Sequence, residues 1–229
     1  MLSKLSLIFT ALLLGACVFF YWKSPWSPIV QHRIRDKIST GDVDRAIDLL
    51  VWRSDNAFNE KSAQKDLWLA AKLSALKSKK DARSRMLIDK CLQHPAFGHV
   101  ADAYAILASM SSETDADQSI VYWTRAIQSE PEHPEVGSWW IRIANIYEAR
   151  GDSNSALMAW KEAADDPDLS PMANLAMGRL QLKSDPSSSL IHFKEAANDI
   201  SLDRSRTAEL GQQLAMWEIK RHQMIENRR

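Results

Sequence analysis

Apolar residues recur along most of this chain at steps of three and four, the spacing that places them on one face of an α-helix. Short polar segments rich in glycine, proline and aspartate interrupt these stretches, most clearly at 131–134, 151–153 and 185–187. No comparable stretch alternates apolar and polar residues with the period of two that is typical of strands. The pattern therefore predicts an all-α chain of short helices joined by tight connections.

Within this pattern a shorter motif repeats: a small residue, a bulky residue four positions later, and often a small residue three positions after that. Three consecutive examples are Ser119-Trp123-Ala126, Ala156-Trp160-Ala163 and Ser189-Phe193-Ala196. A weaker example carries Arg83 and Lys90 where the motif has small residues. The equivalent points, which lie 37, 36, 37 and 33 residues apart, are Ala46, Arg83, Ser119, Ala156 and Ser189. These steps indicate a repeat whose connections vary in length.

The residues around Trp140 carry the fullest form of the repeat. The positions concerned are Trp140, Ile143, Ala144, Tyr147, Gly151, Asp152, Ala156, Trp160 and Ala163. In this spacing the segment 137–168 resembles a tetratricopeptide (TPR) repeat, a helix pair of about 34 residues. The resemblance extends over about residues 27 to 200 and implies a right-handed superhelical solenoid of about five TPR-like helix pairs. In such a fold the signature residues form the packing core rather than a site.

The resemblance also implies a binding groove, because the first helix of each TPR pair lines the concave face. The groove positions carried over to this sequence are Arg35, Trp68, Lys72, Tyr104, Ala108, Ile141, Asn145, Glu148, Asn174 and Gly178. Trp68, Tyr104 and Ile141 take one shared position, so they would form an apolar strip suited to a helix or an extended peptide. Asn145 and Asn174 would hydrogen-bond a bound backbone. In the alternative, Trp68 and Tyr104 pack against a neighbouring pair.

A segment of eighteen uncharged residues, 5–22, lies near the N-terminus. As a helix it would rise roughly 27 Å, close to the thickness of the hydrocarbon layer. It predicts an uncleaved transmembrane anchor, with a tail at 1–4 before it, a TPR-like solenoid at 23–203 and a capping helix and tail at 204–229. Two alternatives remain open: a cleaved secretory signal, and a lipoprotein signal whose Leu14-Gly15-Ala16-Cys17 resembles a lipobox and in which Cys17 receives the lipid.

Charges beside the apolar segment give opposing indications of orientation. The basic residues that follow it, Lys23, Arg33, Arg35 and Lys37, favour a cytoplasmic solenoid under the positive-inside rule. A short N-terminal tail with one lysine before the only apolar segment is instead typical of an export-type signal anchor. We expect the second arrangement, with the anchor in a bacterial inner membrane and the solenoid in the periplasm.

Residues 204–227 predict one long terminal helix. Its apolar stripe, with steps of four, three and seven, consists of Leu210, Leu214, Trp217 and Met224. A solenoid needs a terminal helix with a polar outer face to cover its last pair, so we expect this helix to cap the repeats. The alternative is a short coiled-coil seam for self-association or for a partner helix.

Composition adds mainly exclusions. The 229 residues are 45% hydrophobic and 25% charged, which suits a folded chain, and Lys+Arg and Asp+Glu cancel at 29 each, which argues against nucleic-acid binding. The six histidines form no HExxH pair, and no GxGxxG, Walker-type or GxSxG motif occurs. We therefore expect no enzymatic activity, no metal and no cofactor. Charge is unevenly distributed, however, because residues 65–90 are mainly basic and residues 113–135 mainly acidic. These segments would either attract an oppositely charged partner or form an ordinary solvated surface.

These features together predict a membrane-tethered TPR scaffold that binds a protein partner through its groove during assembly or maintenance of a membrane or envelope complex. The sequence departs from TPR proteins that clamp chaperone C-termini, because Arg142 and Asn145 are three rather than four positions apart. Two alternatives remain: a permanent structural subunit of a membrane complex, and a regulatory adaptor that binds a peptide or small ligand.

Overall fold

The computed structural model describes residues 24, 27–78, 82–198 and 206–226, and within these ranges it contains eleven α-helices and no strand. They are α1 (Pro28–Ser39), α2 (Val43–Asp55), α3 (Glu60–Lys77), α4 (Ala82–Leu92), α5 (Val100–Ser111), α6 (Ala116–Ser129), α7 (Val136–Ala149), α8 (Ser153–Ala163), α9 (Ser170–Gln181), α10 (Pro186–Asn198) and α11 (Arg206–Glu226). The all-α prediction is confirmed for this part of the chain. None of these helices has the length and apolar character needed to span a membrane. The predicted anchor at 5–22, with Cys17, lies outside the described residues.

The helices group into two compact units, one ending at His99 and the other beginning at Val100. Unit 1 contains α1–α4, in which α2 packs against both α1 and α3, and α3 packs against α4. Unit 2 contains α5–α11. Here α5 packs on α6, α7 on α8 and α9 on α10, while α11 contacts both α9 and α10. The described helices thus form five pairs, two in unit 1 and three in unit 2, followed by one more helix.

The turns inside pairs one and four both depend on a glycine. Gly41 and Gly151 have φ angles of 77° and 76°, a left-handed conformation that residues with a Cβ rarely adopt. After α7, the Gly151 N–H donates to a carbonyl three residues earlier (2.9 Å) and the Asp152 N–H donates to the Tyr147 carbonyl (3.0 Å), as in a Schellman motif. Asp152 then caps α8, where its hydrogen bonds with Ser155 lower the pKa of the carboxyl.

Every second helix buries a triplet with the predicted spacing. The triplets are Ala46-Leu50-Arg53, Ser84-Ile88-Cys91, Ser119-Trp123-Ala126, Ala156-Trp160-Ala163 and Ser189-Phe193-Ala196, with no residue more than 9% exposed. The predicted register of pair two is wrong by one residue, because Arg83 is half-buried and Lys90 exposed, whereas Ser84 and Cys91 are buried. Pair one differs from the others in having a charged residue, Arg53, at the third position.

A serine hydroxyl joins the two helices of pairs three and five at their close approach. Ser119 Oγ donates to the Ala108 carbonyl (2.9 Å), and Ser189 Oγ donates to the Gly178 carbonyl (2.7 Å). Gly178 has no room for a side chain, since a Cβ there would lie 2.5 Å from Phe193 Cε1. Small residues at these positions let the helices touch, and the buried hydroxyls are satisfied.

The core of unit 2 includes a tryptophan that the repeat pattern did not select. Trp139 is 5% exposed, its ring stacks on His133 at 4.6 Å, and it lies 6.3 Å from Trp123. Trp140 and Tyr147, which were predicted as core, are half-buried and pack against the same core. Adjacent residues of a helix point about 100° apart, so α7 buries apolar residues over a wide arc rather than along one stripe.

A buried ion pair joins α2 to α3 in unit 1. Arg53 Nε donates to Asp66 Oδ2 at 2.6 Å, and Arg53 Nη2 donates to Asp66 Oδ1. The two side chains are only 11% and 5% exposed. A bidentate pair of this kind satisfies both charged groups, which would otherwise be costly to bury.

Three further ion pairs join α2 to the basic residues of pair two. They are Lys77 with Asp44, Arg83 with Asp48 (2.5 Å) and Lys90 with Asp55 (2.8 Å). The hydrogen bond from Lys77 holds the pKa of Asp44 below its usual value. Three of the eight basic residues in 65–90 are therefore paired with aspartates inside unit 1.

The terminal helix α11 contacts pair five with a face other than the predicted one. Ala215 is fully buried and Ile219 packs beside it. Leu214, Trp217 and Met224, which belong to the predicted stripe, are 41%, 57% and 57% exposed. The helix covers the last pair as a cap would, but its close approach depends on the small residue Ala215, and the larger apolar side chains lie at the surface.

Candidate partner-binding surfaces

Two of the predicted groove residues, Asn145 and Glu148, are exposed on α7 and line one cleft in unit 2. The cleft has a volume of about 440 Å³, and its other walls come from α8 and α9. Those walls contribute Trp160, Met172, Leu175, Ala176, Arg179 and Leu180. The cleft thus combines an amide, a carboxylate and a guanidinium with apolar side chains. This combination offers hydrogen bonds for a peptide backbone and contacts for an apolar side chain.

The Glu148 carboxylate is held in place by the core. The Trp160 indole N–H donates to Glu148 Oε1, and Trp160 itself is 7% exposed. A buried indole N–H requires an acceptor, so Glu148 supports the packing of pair four whatever it binds. Substitution of Glu148 would therefore disturb both packing and binding. Asn145, which is exposed beside it, is the better residue for a test of binding.

The predicted groove positions in α5 and α9 are shifted by one residue from those in α7. Ala108 and Gly178 accept the serine hydrogen bonds described above, and the corresponding buried residue of α7 is Ala144 rather than Asn145. The shift arises because the buried small residue of the first helix lies twelve positions before the triplet in pair four, at Ala144, but eleven positions before it in pairs three and five. Ala108 and Gly178 are therefore buried against their partner helices and present no side chain at the surface.

Tyr104 and Ile141 are consequently not equivalent, and the predicted apolar strip does not follow one repeat position. Tyr104 is half-buried, its ring lies 6.2 Å from that of Tyr122, and the Arg125 guanidinium lies 5.8 Å from its centre. Ile141 is also half-buried and packs against the core of unit 2. Both residues contribute to packing within this unit and leave only part of their surface to a partner.

Asn174 is engaged by its neighbours. It is 8% exposed, its Nδ2 donates to Ser170 Oγ at 3.3 Å, and its Oδ1 lies 3.1 Å from His192 Nδ1. His192 Nδ1 also lies 3.2 Å from Glu195 Oε2. This network links α9 to α10 and occupies the amide that was predicted to bond a partner's backbone.

In unit 1, Trp68 packs against the connection that follows α4. It is 5% exposed, its ring stacks on that of His99 at 5.6 Å, and it meets the Phe97 ring edge-on at 5.3 Å. The exposed Lys72 places its Nζ 5.3 Å from the centre of the Trp68 ring. Arg35, the remaining predicted residue, is exposed on α1. Trp68 is thus mainly a packing residue, and the Phe97 and His99 rings that it contacts belong to unit 1.

A cleft of about 530 Å³ opens beside Trp68. Its lining consists of Glu60, Lys61, Gln64, Lys65, Trp68 and residues 96–99. His94 joins the two walls, because its Nε2 lies 2.5 Å from Glu60 Oε1 and its Nδ1 is hydrogen-bonded by Gln64 Nε2. No sequence motif pointed to Gln64, Phe97 or His99 as site residues. The one available signal was the cluster of aromatic residues at 97–99, in a segment that otherwise looks like a plain connection.

The remaining chemistry of the described residues is limited. No three His, Cys, Asp or Glu side chains of the described ranges are grouped so that they could hold a metal ion. Cys91 is buried, and burial raises the pKa of its thiol to about 11. Because the thiolate is the reactive form, Cys91 acts as a packing residue at neutral pH.

The fold is similar to that in a crystal structure of MamA protein, a TPR-like helical protein. The two chains are 18% identical, the TM-score is 0.53, and the similarity covers 76% of this chain and 96% of MamA. This supports the prediction of TPR-like helix pairs. No protein-family model and no curated protein matches the chain.

Proposed function

We propose that this chain is a scaffold that binds a protein partner through the exposed surfaces of its TPR-like helix pairs. The observation that carries the proposal is the repeated helix-pair fold, which is similar to that of MamA. In this fold the signature residues are used for packing, so the side chains that remain exposed on the first helices are available for recognition. Stacked helix pairs of this kind create extended surfaces between helices, and such surfaces are suited to peptide segments of other proteins.

The cleft beside Asn145 is the surface of unit 2 that suits this function best. A bound segment would place its backbone against the Asn145 amide and an apolar side chain against Met172 and Leu180. Arg179, on the opposite wall, would receive a carbonyl or carboxylate of the segment. Glu148 is already oriented by Trp160, so part of the cleft is formed before a partner arrives, which lowers the entropic cost of binding.

We further propose that residues 5–22 tether the scaffold to a bacterial inner membrane, with the repeats in the periplasm, where it serves the assembly or maintenance of a membrane or envelope complex. The support is the length of the uncharged segment and the single lysine before it. A tether confines the clefts to the membrane surface and raises their effective concentration toward embedded or exported partners.

Photocrosslinking in native membranes tests the proposed partner binding. A photoreactive residue is placed at position 145 and, in a second variant, at position 72, both exposed, while position 161 on α8 provides an exposed control. We expect one abundant protein adduct from position 145 or 72 that is absent from 161, identified by mass spectrometry. Equal labelling from all three positions, or no adduct from 145 and 72, would contradict the proposal.

The tether and its orientation are tested separately. In spheroplasts of the native bacterium, added protease should digest the repeats while cytoplasmic markers survive. Full protection of the repeats would place them in the cytoplasm instead. The mass of the mature N-terminus distinguishes the open alternatives, because an intact 5–22 segment supports the anchor and a lipid-modified Cys17 supports a lipoprotein.

A further inference from the structure

Two sets of basic residues in pair two differ in their surroundings. Lys77, Arg83 and Lys90 are paired with aspartates of α2, as described above. The other group consists of Lys61, Lys65 and Lys72, which form no ion pair with any residue that the structure describes. These three are exposed and spaced by four and seven positions, so they lie on one face of α3. Their charge is therefore available to a ligand.

The unpaired lysines lie along the side of the Trp68 cleft that α3 forms. Lys61 and Lys65 line it, and Lys72 Nζ lies over the Trp68 ring. The only carboxylate in the lining is that of Glu60, which is engaged by His94. Trp68 and Phe97, both less than 9% exposed, give the cleft an apolar floor. A cleft with an apolar floor and a cationic rim is complementary to a chain segment with an apolar residue among acidic ones.

We infer that this cleft binds an acidic segment of the partner protein, with one apolar side chain against Trp68 and Phe97 and flanking carboxylates against Lys61, Lys65 and Lys72. The inference rests on the proposed function and specifies the chemistry of its partner. Both charge and shape contribute: the lysines attract the segment from solution, and the apolar floor fixes its register. A free C-terminal carboxylate is not needed, because the lysines lie along the helix rather than around one point.

The test uses the full-length chain in detergent micelles and three labelled peptides whose ends are both blocked. The first has one phenylalanine flanked by glutamates, the second replaces the glutamates with glutamines, and the third with lysines. Binding is measured by fluorescence anisotropy at low and high salt. The cleft variant is Lys61→Glu/Lys65→Glu. The matched control is Lys161→Glu/Lys194→Glu, which changes the net charge equally at exposed positions of α8 and α10.

We expect the acidic peptide to bind at least tenfold more tightly than the other two, with an affinity that falls as salt rises. The cleft variant should bind the acidic peptide about fivefold or more weakly, because it loses two surface ion pairs with the peptide. The control variant should bind as the unmodified chain does, and neither variant should change in thermal unfolding. Equal affinity for the acidic and glutamine peptides, or equal losses in both variants, would overturn the inference.

Further outcomes distinguish failure of this inference from failure of the proposed partner binding. If the chain self-associates and the cleft variant abolishes that association, the occupant is a second copy rather than a partner's segment, and the inference fails. If no acidic peptide binds but position 145 still crosslinks to one protein, the inference fails while the proposed function stands. If no acidic peptide binds and no crosslink forms, both the inference and the proposed function are contradicted.

Discussion

Alanine closes the buried triplet of every second helix in unit 2, at Ala126, Ala163 and Ala196, whereas unit 1 has Arg53 and Cys91 at this position. In unit 2 the small residue lets neighbouring helices touch, and the interface consists of dispersion contacts and hydroxyl hydrogen bonds. In unit 1 the arginine holds α3 through the buried carboxylate of Asp66. The same repeat geometry is therefore compatible with apolar close packing and with a buried ion pair.

The difference between the units lies in how each tolerates change. A packed alanine interface loses contacts gradually as atoms are removed or added. A buried ion pair behaves differently, because loss of one partner strands the other charge in a medium that solvates it poorly. Unit 1 should thus be sensitive to single substitutions at a few polar residues, and unit 2 to changes of volume at its small residues.

The largest expected effect comes from breaking the buried pair of unit 1. Asp66→Asn removes the carboxylate that accepts both hydrogen bonds from Arg53, and we expect a loss of about 3–5 kcal/mol in the free energy of unfolding. The double variant Arg53→Met/Asp66→Leu, which removes both charges, should recover most of this loss. Urea unfolding followed by circular dichroism measures both. A loss below about 1 kcal/mol for the single variant would show that the pair is not buried as described.

A smaller effect is expected from overfilling unit 2. Gly178→Ala places a Cβ 2.5 Å from Phe193 Cε1 and 2.6 Å from its Cδ1, so we expect a loss of about 1–3 kcal/mol. Phe193→Leu in the same chain should relieve part of the clash, giving a double variant more stable than the sum of the single effects predicts. Gly98→Ala, which meets nothing within 4 Å, is the control and should be neutral in the same unfolding experiment.

The serine hydrogen bond of pair three should contribute less still. Ser119→Ala removes the donor to the Ala108 carbonyl. We expect a loss of about 1 kcal/mol in the free energy of unfolding, which is the net contribution of a typical intramolecular hydrogen bond. Ser112→Ala, whose exposed hydroxyl bonds to the Ser109 carbonyl, is a matched control and should change stability by less than half as much. Thermal unfolding of the two variants under identical conditions compares them. Equal effects would show that burial adds nothing to this bond.

The smallest expected effect concerns the cap of α10 in acid. Hydrogen bonds from the side chains of Ser187 and Ser188 and the Ser188 N–H lower the pKa of Asp185 from 3.8 to about 2. The stabilisation is therefore complete above pH 3.8 and is lost as the pH falls through about 2. We expect Asp185→Asn to lower stability slightly at neutral pH and to flatten its decline between pH 4 and 2. A variant with an unchanged acid profile would argue against this cap.

Much of the repeat architecture could be predicted because the small and bulky residues recur at fixed spacing. The sequence also contained the register of pair two, because Ser84, Ile88 and Cys91 have the small–bulky–small spacing of the motif. The predicted register, with Arg83 and Lys90, lacked both small residues and was wrong. The observed register keeps both charged side chains out of the core, where they pair with aspartates of α2. For α11, the sequence favoured the stripe with the largest apolar residues, whereas the packed face is set by how closely a helix can approach through Ala215.

The candidate surfaces were less predictable than the fold. Asn145 and Glu148 do share a cleft, because pair four follows the repeat spacing without a shift. Ala108 and Gly178 were misplaced because the packing position of the first helix lies eleven residues before the triplet in pairs three and five, not twelve as in pair four. A groove position carried over with the spacing of pair four therefore falls on a packing position. The cleft beside Trp68 depends on residues more than thirty positions apart, such as Gln64 and His99, and no local pattern brings these together.

The Arg53–Asp66 pair also constrains how this chain can change over evolutionary time. Neither residue can be replaced first without an intermediate that carries a stranded charge, so the two positions should change together among related sequences. A lineage that acquires alanine at 53, as in the three pairs of unit 2, should carry an uncharged residue at 66. Positions 126, 163 and 196 have no such partner and should vary independently among small residues. Correlated substitution is therefore expected between positions 53 and 66 of unit 1 and not among these three positions of unit 2.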